Sequence, residues 1–330
     1  MSEALKALID TFAGKRILVI GDIVLDQYVH GAIERVNPEA GAPLLHAQEE
    51  NAMTGGAGNV AKNIAQLGAR ASLISVVGDD DFGSVVAQHA KQENYETHLL
   101  RDPSRPTIRK IRFYRGMEQL LRVDYEDTHN IDEAMEQQVI TEIQRYITSG
   151  ADAVVVSDYA KGVITKTVAE AIVQACKDQE ILLAVDAKPS RAEYFVGAGL
   201  ISPNIKEAKQ FLGLDEQAQL PYADIAAKLA QQMHSEAYVT LGAEGVYYYR
   251  SADDHGLVKQ EHVVQVYDVS GAGDTAISVL TLARLAGASP QEAAQLANAA
   301  GAVVVSKVGS VGLSSQELSD MILHHHDHGE

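Results

Sequence analysis

Two glycines and two carboxylates crowd into the run Asp268-Val-Ser-Gly-Ala-Gly-Asp274-Thr. The run follows a strand-like segment, residues 262–267, and leads into an Ala/Leu-rich helical pattern beginning near Thr275. Strand, glycine turn and helix start together aim bare backbone N–H groups at an anion. Gly271 and Gly273 carry no Cβ, so the amides of Gly271, Ala272 and Gly273 can approach a ligand closely. Asp274 falls at the helix mouth, where the N-terminal dipole favours an ionised carboxylate. Such a cradle suits phosphoryl transfer: amides hold the charge while the carboxylate takes a hydroxyl proton. An ordinary N-capped helix with a glycine turn is the plainer alternative.

Other stretches offer matching chemistry. Asp26 ends the loop after the first apolar run, where its carboxylate can accept two hydroxyls; Asp22 is its rival in the same loop. Gly55, Gly56 and Asn59, in Thr54-Gly-Gly-Ala-Gly-Asn59, form a turn that can press against a small ligand or pack a helix tightly on a sheet. Asn204 and Glu207, three residues apart, share one face at a helix start, where an acid also serves the dipole. Thr240, Gly242 and Gly245 lie where a strand ends and a hairpin begins, and residues 247–250 of that hairpin are expected to wall a nucleotide site. Asn298 sits on an Ala-rich helical pattern, as a ligand contact or as a packed polar residue.

The elements that must position these residues follow from periodicity. Short apolar runs at 17–20, 72–77, 153–157, 182–186, 200–202 and 238–241 alternate with amphipathic stretches at 82–92, 133–147, 165–177 and 224–233. That alternation predicts βαβ units, a mostly parallel sheet covered on both faces and ligands at the carboxyl ends of its strands. Segments 25–48 and 106–125 break the pattern with alternating extended sequence and predict a small separate β-sheet, whose uncovered apolar face calls for a ligand or a partner.

Composition narrows the classes. A chain of 330 residues, 46% apolar, supports a large core. No apolar run is long enough to span a bilayer, and the start is amphipathic rather than a signal peptide. The one cysteine, Cys176, excludes a disulfide framework and suits a reducing, cytoplasmic setting as a core residue. A net charge of −18 argues against nucleic-acid and membrane partners. The run His324-His-His-Asp-His328 is a candidate metal tract and equally a plain terminal tail.

These motifs, in this order, resemble the ribokinase-like (PfkB) carbohydrate kinases over nearly the whole chain. The resemblance implies an α/β three-layer sandwich with a mostly parallel central sheet and a small β lid at 25–48 and 106–125. It implies one kinase domain over 1–330 and a homodimer joined through the lids; many members of the subfamily carry an adenylyltransferase domain after the kinase, which a chain ending at Glu330 is expected to lack. Asp274 would be the catalytic base and Asp26 the sugar-binding aspartate. Asn204, Lys206 and Glu207 would organise Mg²⁺, water and the phosphates of ATP, Glu207 acting through water. Asn298 would lie near the adenine. Asp268 and Ser270, with carbonyls near 306–309, would form a loop for a monovalent cation, K⁺ being the candidate.

A closer resemblance lies in Gly21-Asp-Ile-Val-Leu-Asp-Gln-Tyr, Arg35-Val-Asn-Pro-Glu-Ala, Gln119-Leu-Leu-Arg-Val-Asp and Ser157-Asp-Tyr-Ala-Lys-Gly. It points to the subgroup that phosphorylates the anomeric hydroxyl of D-glycero-β-D-manno-heptose 7-phosphate, on the route to ADP-heptose for lipopolysaccharide. The chain departs at Ala40-Gly-Ala-Pro, at Asp186-Ala-Lys and at Ser270, where the subgroup has other residues. A substrate that already carries phosphate makes sense of Arg109, Lys110, Arg112, Arg115 and Arg122, clustered in the lid of an acidic chain. Arg112 and Arg122 are the candidates to fork a phosphate, with Asp186 and Lys188 as further substrate anchors. Another sugar kinase of the family and a non-catalytic sugar or nucleotide sensor are the alternatives, separable by ATP turnover on a sugar panel.

Overall fold

The computed structural model describes residues 2–262, 264–307 and 311–323. Along the chain run α1 (Ser2–Asp10), β1 (Arg16–Gly21), β2 (Ile23–Val36), β3 (Pro43–Gly56), α2 (Ala57–Gln66), β4 (Arg70–Gly78), α3 (Asp81–Gln92) and β5 (Glu96–Asp102). Then follow β6 (Arg109–Arg115), β7 (Glu118–Tyr125), α4 (Glu133–Thr148), β8 (Ala153–Asp158), α5 (Lys166–Asp178), β9 (Leu182–Ala187), β10 (Leu200–Ile201) and α6 (Ile205–Phe211). The rest comprises α7 (Tyr222–Met233), β11 (Glu236–Thr240), β12 (Val246–Ser251), β13 (Asp254–Val258), α8 (Ala272–Leu285), α9 (Pro290–Val305) and α10 (Ser315–Leu323).

Nine strands form the main sheet, in the order β13-β12-β11-β10-β9-β8-β1-β4-β5. It is parallel from β11 to β5 and ends in the antiparallel β12–β13 hairpin. Alternation splits the core in two. Ile17 and Val19 of β1 join the cluster under α1, α2, α3, α8, α9 and α10, while Leu18 and Ile20 join the cluster under α4, α5, α6 and α7. The result is the three-layer sandwich expected, and Cys176 is buried in the second cluster. Helix starts follow their caps: Asp80, Asp132 and Thr165 accept first-turn N–H groups, and Asn204 and Ser289 close capping boxes with Glu207 and Glu292. The strand order reverses at β1, so a crevice opens beyond its carboxyl end.

A separate four-stranded sheet, β3-β2-β6-β7, stands over that crevice. It is the small lid expected, but β3 runs on to Gly56 and α2 begins at once at Ala57. Thr54, Gly55 and Gly56 therefore end a lid strand instead of forming a free turn. Residues 264–267, expected as strand, form none. The sheet already ends in β13, and the Tyr267 and Asp268 amides donate to the carbonyl of Val305 at the end of α9 instead. Residue 263, the 308–309 part of the proposed cation loop and the histidine run at 324–328 lie outside the described residues. No helix among the described residues is long and apolar enough to cross a membrane.

Candidate active site

Asp274 occupies the first turn of α8 and is 3% exposed. Gly271, at φ 77°, caps the helix in the left-handed region, and of the three amides expected to face an anion, that of Ala272 is engaged within the turn, donating to the Val269 carbonyl at 3.3 Å. Both carboxylate oxygens of Asp274 are engaged: Oδ2 accepts from Asn59 Nδ2 at 2.8 Å, and Oδ1 from the Tyr159 hydroxyl at 2.8 Å. Burial raises its pKa to about 6, against those two hydrogen bonds and buried Lys62, which hold it down. The amide oxygen of Asn59 is buried and has no partner among the described residues, so it is an acceptor awaiting a donor such as a hydroxyl.

Asp26 and Asp22, rivals in sequence, separate clearly. Asp22 is fully buried and accepts three amides, from Tyr159, Lys161 and Val163, so it pins the loop after β8. Asp26 instead bears on the crevice and pairs with Arg112 Nη1 at 2.6 Å. Gly55 is glycine because a Cβ there would fall 1.9 Å from Asp26 Oδ2; at Gly56, with φ 59°, it would fall 2.4 Å from the Asp22 carbonyl oxygen. These close approaches bear out the tight packing expected of this segment and set Gly55 against Asp26.

Sheet register puts the lid arginines where their chemistry is useful. Arg112 is in register with Tyr28 on β2 and with Arg122 on β7, so all three share the face that carries Asp26. Arg122 is half exposed and leans on Asp124 at 2.9 Å. Arg109 and Arg115 do not join them: Arg109 stacks on Phe82 and Tyr125, and Arg115 pairs with Glu118.

Asp186, at the end of β9, lies beside the glycine turn, 3.7 Å from where a Gly273 Cβ would stand. Burial, with Glu207 and Asp274 close by, raises its pKa to about 8. Lys188 forms an ion pair with Glu207 Oε1 at 2.6 Å, while Glu207 Oε2 accepts from the backbone and side-chain nitrogens of Asn204.

Behind the glycine turn opens a mainly apolar cavity of about 440 Å³, bounded by Thr240, Gly242, Gly245, Ala272, Gly273 and Asn298 among others. Only Val246 of the β12 hairpin reaches it; Tyr247 and Tyr249 stack on His255 instead, contrary to the wall expected at 247–250. Asn298 lines the cavity and is also structural, since Nδ2 donates to the carbonyls of Val258 and Lys259. Asn204 adjoins the cavity by bridging to Thr240, but Lys206 is not brought in: it is exposed and paired with Glu216 at 2.7 Å. Ser270 donates its amide to Asp268 Oδ1 in a local turn.

The family model of pfkB carbohydrate kinases matches residues 15–317. The chain belongs to that family. The bifunctional protein HldE of Caulobacter vibrioides is 40% identical over 97% of this chain, and that of Desulfatibacillum aliphaticivorans is 37% identical over 94%. The kinase described here spans 66% and 63% of their lengths. In fold it is similar to phosphofructokinase-2 from Escherichia coli in complex with potassium, with TM-score 0.78, 18% identity and 94% and 99% of the two chains covered. A carbohydrate kinase from Agrobacterium tumefaciens gives 0.70 at 22% identity, covering 93% and 97%.

Family membership makes ATP the phosphoryl donor and Mg²⁺ its usual companion. The residues present fit such an ion. Among the described residues no three His, Cys, Asp or Glu side chains converge on one point. Glu207 and Asn204 offer the hard oxygen donors such an ion takes, and with the Glu207 oxygens held by Lys188 and Asn204 they would reach it through water.

Sequence reasoning missed Tyr159 and Lys62. Lys62 follows Asn59 by three residues in α2, a spacing that already put it on the same helix face.

Proposed function

We propose that this kinase transfers the γ-phosphoryl group of ATP to the anomeric (C1) hydroxyl of D-glycero-β-D-manno-heptose 7-phosphate. The products are the 1,7-bisphosphate and ADP, on the route to ADP-heptose and lipopolysaccharide. One observation carries the reading: a buried, doubly hydrogen-bonded carboxylate, Asp274, stands between an Asp26/Arg112 lid face and the cavity behind the glycine turn. The relatives named HldE and the motifs around Asp26, Arg122 and Tyr159 support the choice of sugar.

Asp274 accepts the hydroxyl proton as the oxygen attacks phosphorus, and the amides of Gly271 and Gly273 stabilise charge on the transferring group, that of Ala272 being held by the Val269 carbonyl. Asp26, Asn59, Gly55 and Gly56 hold the sugar, with Asp186 and Lys188 on its far side. Arg112 and Arg122 take the 7-phosphate. Thr240, Gly242, Gly245 and Asn298 bound the nucleotide. Asn204 and Glu207 hold Mg²⁺ through water, and the ion supplies charge neutralisation at the phosphates. Asp268 and Ser270 are proposed for K⁺. Turnover of ATP against a panel of sugars and sugar phosphates, with the product read by NMR, tests the assignment; phosphate appearing anywhere but C1, or only on unphosphorylated sugars, overturns it.

Glu207→Gln should retain the capping box, because Gln can still accept from Asn204, while losing the charge that pairs with Lys188. We expect a several-fold rise in the Mg²⁺ concentration for half-maximal rate and weaker productive nucleotide binding. An unchanged Mg²⁺ titration would remove Glu207 from that role.

The same reading includes a homodimer through the lid. Leu121, in register with Phe113, lies on the lid face opposite Arg112 and Arg122, and Met117 is exposed in the turn between β6 and β7. Such apolar surface is a liability unless covered, and a second lid is its complement. Sedimentation should give a dimer at micromolar concentration, and Leu121→Asp should shift it toward monomer. A fully active monomer would rule the arrangement out.

A further inference from the structure

We propose that Tyr159 is a positioning residue for Asp274, fixing the carboxylate's orientation and keeping it in its proton-accepting form. The inference rests on the reading of Asp274 as the base and extends it to a residue from a different element.

Tyr159 lies immediately after β8, in a loop with little freedom. Its own amide, and those of Lys161 and Val163, converge on the buried carboxylate of Asp22 at 3.0–3.2 Å. The Ala160 amide donates to Asp158 Oδ1 at 2.8 Å, which fixes the next residue as well. From this anchor the hydroxyl reaches Asp274 Oδ1, and the ring lies under Lys188, whose Nζ is 5.4 Å from its centroid. The other oxygen of Asp274 is held by Asn59, on α2. Two donors on separately anchored elements therefore prevent rotation of the carboxylate plane, which leaves its remaining lone pairs at a set angle to an incoming hydroxyl.

The hydroxyl also answers an electrostatic need. Asp274 is faced by Lys62 and Asn59 from α2, by Tyr159 from the loop after β8, by Asp26 from β2, and by Asp186 and Lys188 from the end of β9. Burial, Asp26 and Asp186 favour the protonated acid; Lys62, Lys188 and the two hydrogen bonds favour the carboxylate. A hydroxyl that donates to Oδ1 binds the carboxylate more strongly than the acid. Deleting it leaves a base that is neutral over more of the pH range.

Tyr159→Phe keeps the ring and its contact with Lys188 while removing the donor. We expect kcat near neutral pH to fall by roughly 10- to 100-fold, the upper part of the range for one hydrogen bond to a charged group. KM for ATP should hold, and the acid limb of kcat/KM should move up by about one pH unit. Direct titration of the Asp274 carboxyl by carbon NMR, without substrates, should show the same upward movement. If the Phe variant does not fold, site-specific 3-fluorotyrosine at 159 supplies a stronger donor, and the limb should move to lower pH. A reduced rate with an unmoved limb and an unmoved carboxyl titration would reduce Tyr159 to a packing residue and overturn the proposal. Asp274→Asn run in parallel separates the two levels. Near-normal turnover of that variant removes the base reading itself. An inactive Asn variant beside an unmoved Tyr159→Phe limb removes only the role of Tyr159.

Discussion

Asp274→Asn should lower kcat by roughly 10²–10⁴-fold, the range for loss of a general base, while ATP binding measured by calorimetry stays nearly unchanged. The substitution keeps the side chain's shape and an oxygen for one of its two donors, so the loss falls on the step in which a proton must be taken. The parent enzyme should show an acid limb in kcat/KM near pH 6, because Asp274 works only when ionised and its pKa is raised to about 6 by burial. Stability follows with a worked sign. The folded pKa exceeds the ordinary carboxylate value, so the folded state binds more protons between about pH 4 and 6 and loses stability as pH rises through that window. The Asn variant lacks this penalty, and its thermal midpoint at pH 8 should not fall far below the parent's. A folded Asn variant turning over at a near-normal rate would exclude Asp274 from the chemistry.

A seven-carbon sugar 7-phosphate should be used far better than the free sugar, and Arg112 and Arg122 should account for the difference. Each offers a charged donor fork on the lid face that carries Asp26. Without the phosphate each guanidinium keeps only its carboxylate neighbour, Asp26 or Asp124, and the charged hydrogen bonds to the sugar phosphate are lost. Loss of either arginine should cost about 10- to 100-fold in kcat/KM for the phosphorylated sugar, from hydrogen bonds to a charged group. The two variants should differ in kind. Among the described residues Arg122 pairs with its neighbour Asp124, so Arg122→Ala should narrow the gap between the two sugars with little effect on the free sugar. Arg112 also holds Asp26, so Arg112→Ala should impair both substrates. Salt should weaken the preference, since part of it is Coulombic. Equal kcat/KM for heptose and heptose 7-phosphate in the parent enzyme would refute both the arginine assignment and the heptose-phosphate reading, leaving the carbohydrate-kinase class intact.

Much of this architecture is written locally. The apolar runs of β1, β4, β8 and β9 and the capped starts of α3, α4, α5 and α9 follow from alternation, helical period and the residues before each helix. These signals depend on near neighbours, so they are legible in one dimension. The same holds for Asp274 behind its glycine turn and for the split of the lid into two inserted segments. Local propensity also misleads: residues 264–267 have the valine-rich alternation of a strand, yet the Tyr267 and Asp268 amides are taken by the Val305 carbonyl at the end of α9 and no ladder forms.

Only the tertiary structure decided which side chains meet. Asn59 and Tyr159 lie 215 and 115 residues from Asp274 in sequence and both reach its carboxylate. The Arg112–Asp26 pair spans 86 residues and depends on the register of β2 against β6. Asp22 and Asp26 look alike in one loop, yet three amides from the loop after β8 bury the first as a strut and leave the second to the crevice. Lys62 is hidden in an apolar helix until α2 packs against α8 and sets its charge beside Asp274. Sequence determines which residues carry chemistry and which elements form, because those depend on local backbone and burial preferences. The pairing of distant carboxylates with their donors depends on how layers and strands dock, which is settled by the packing of the whole core.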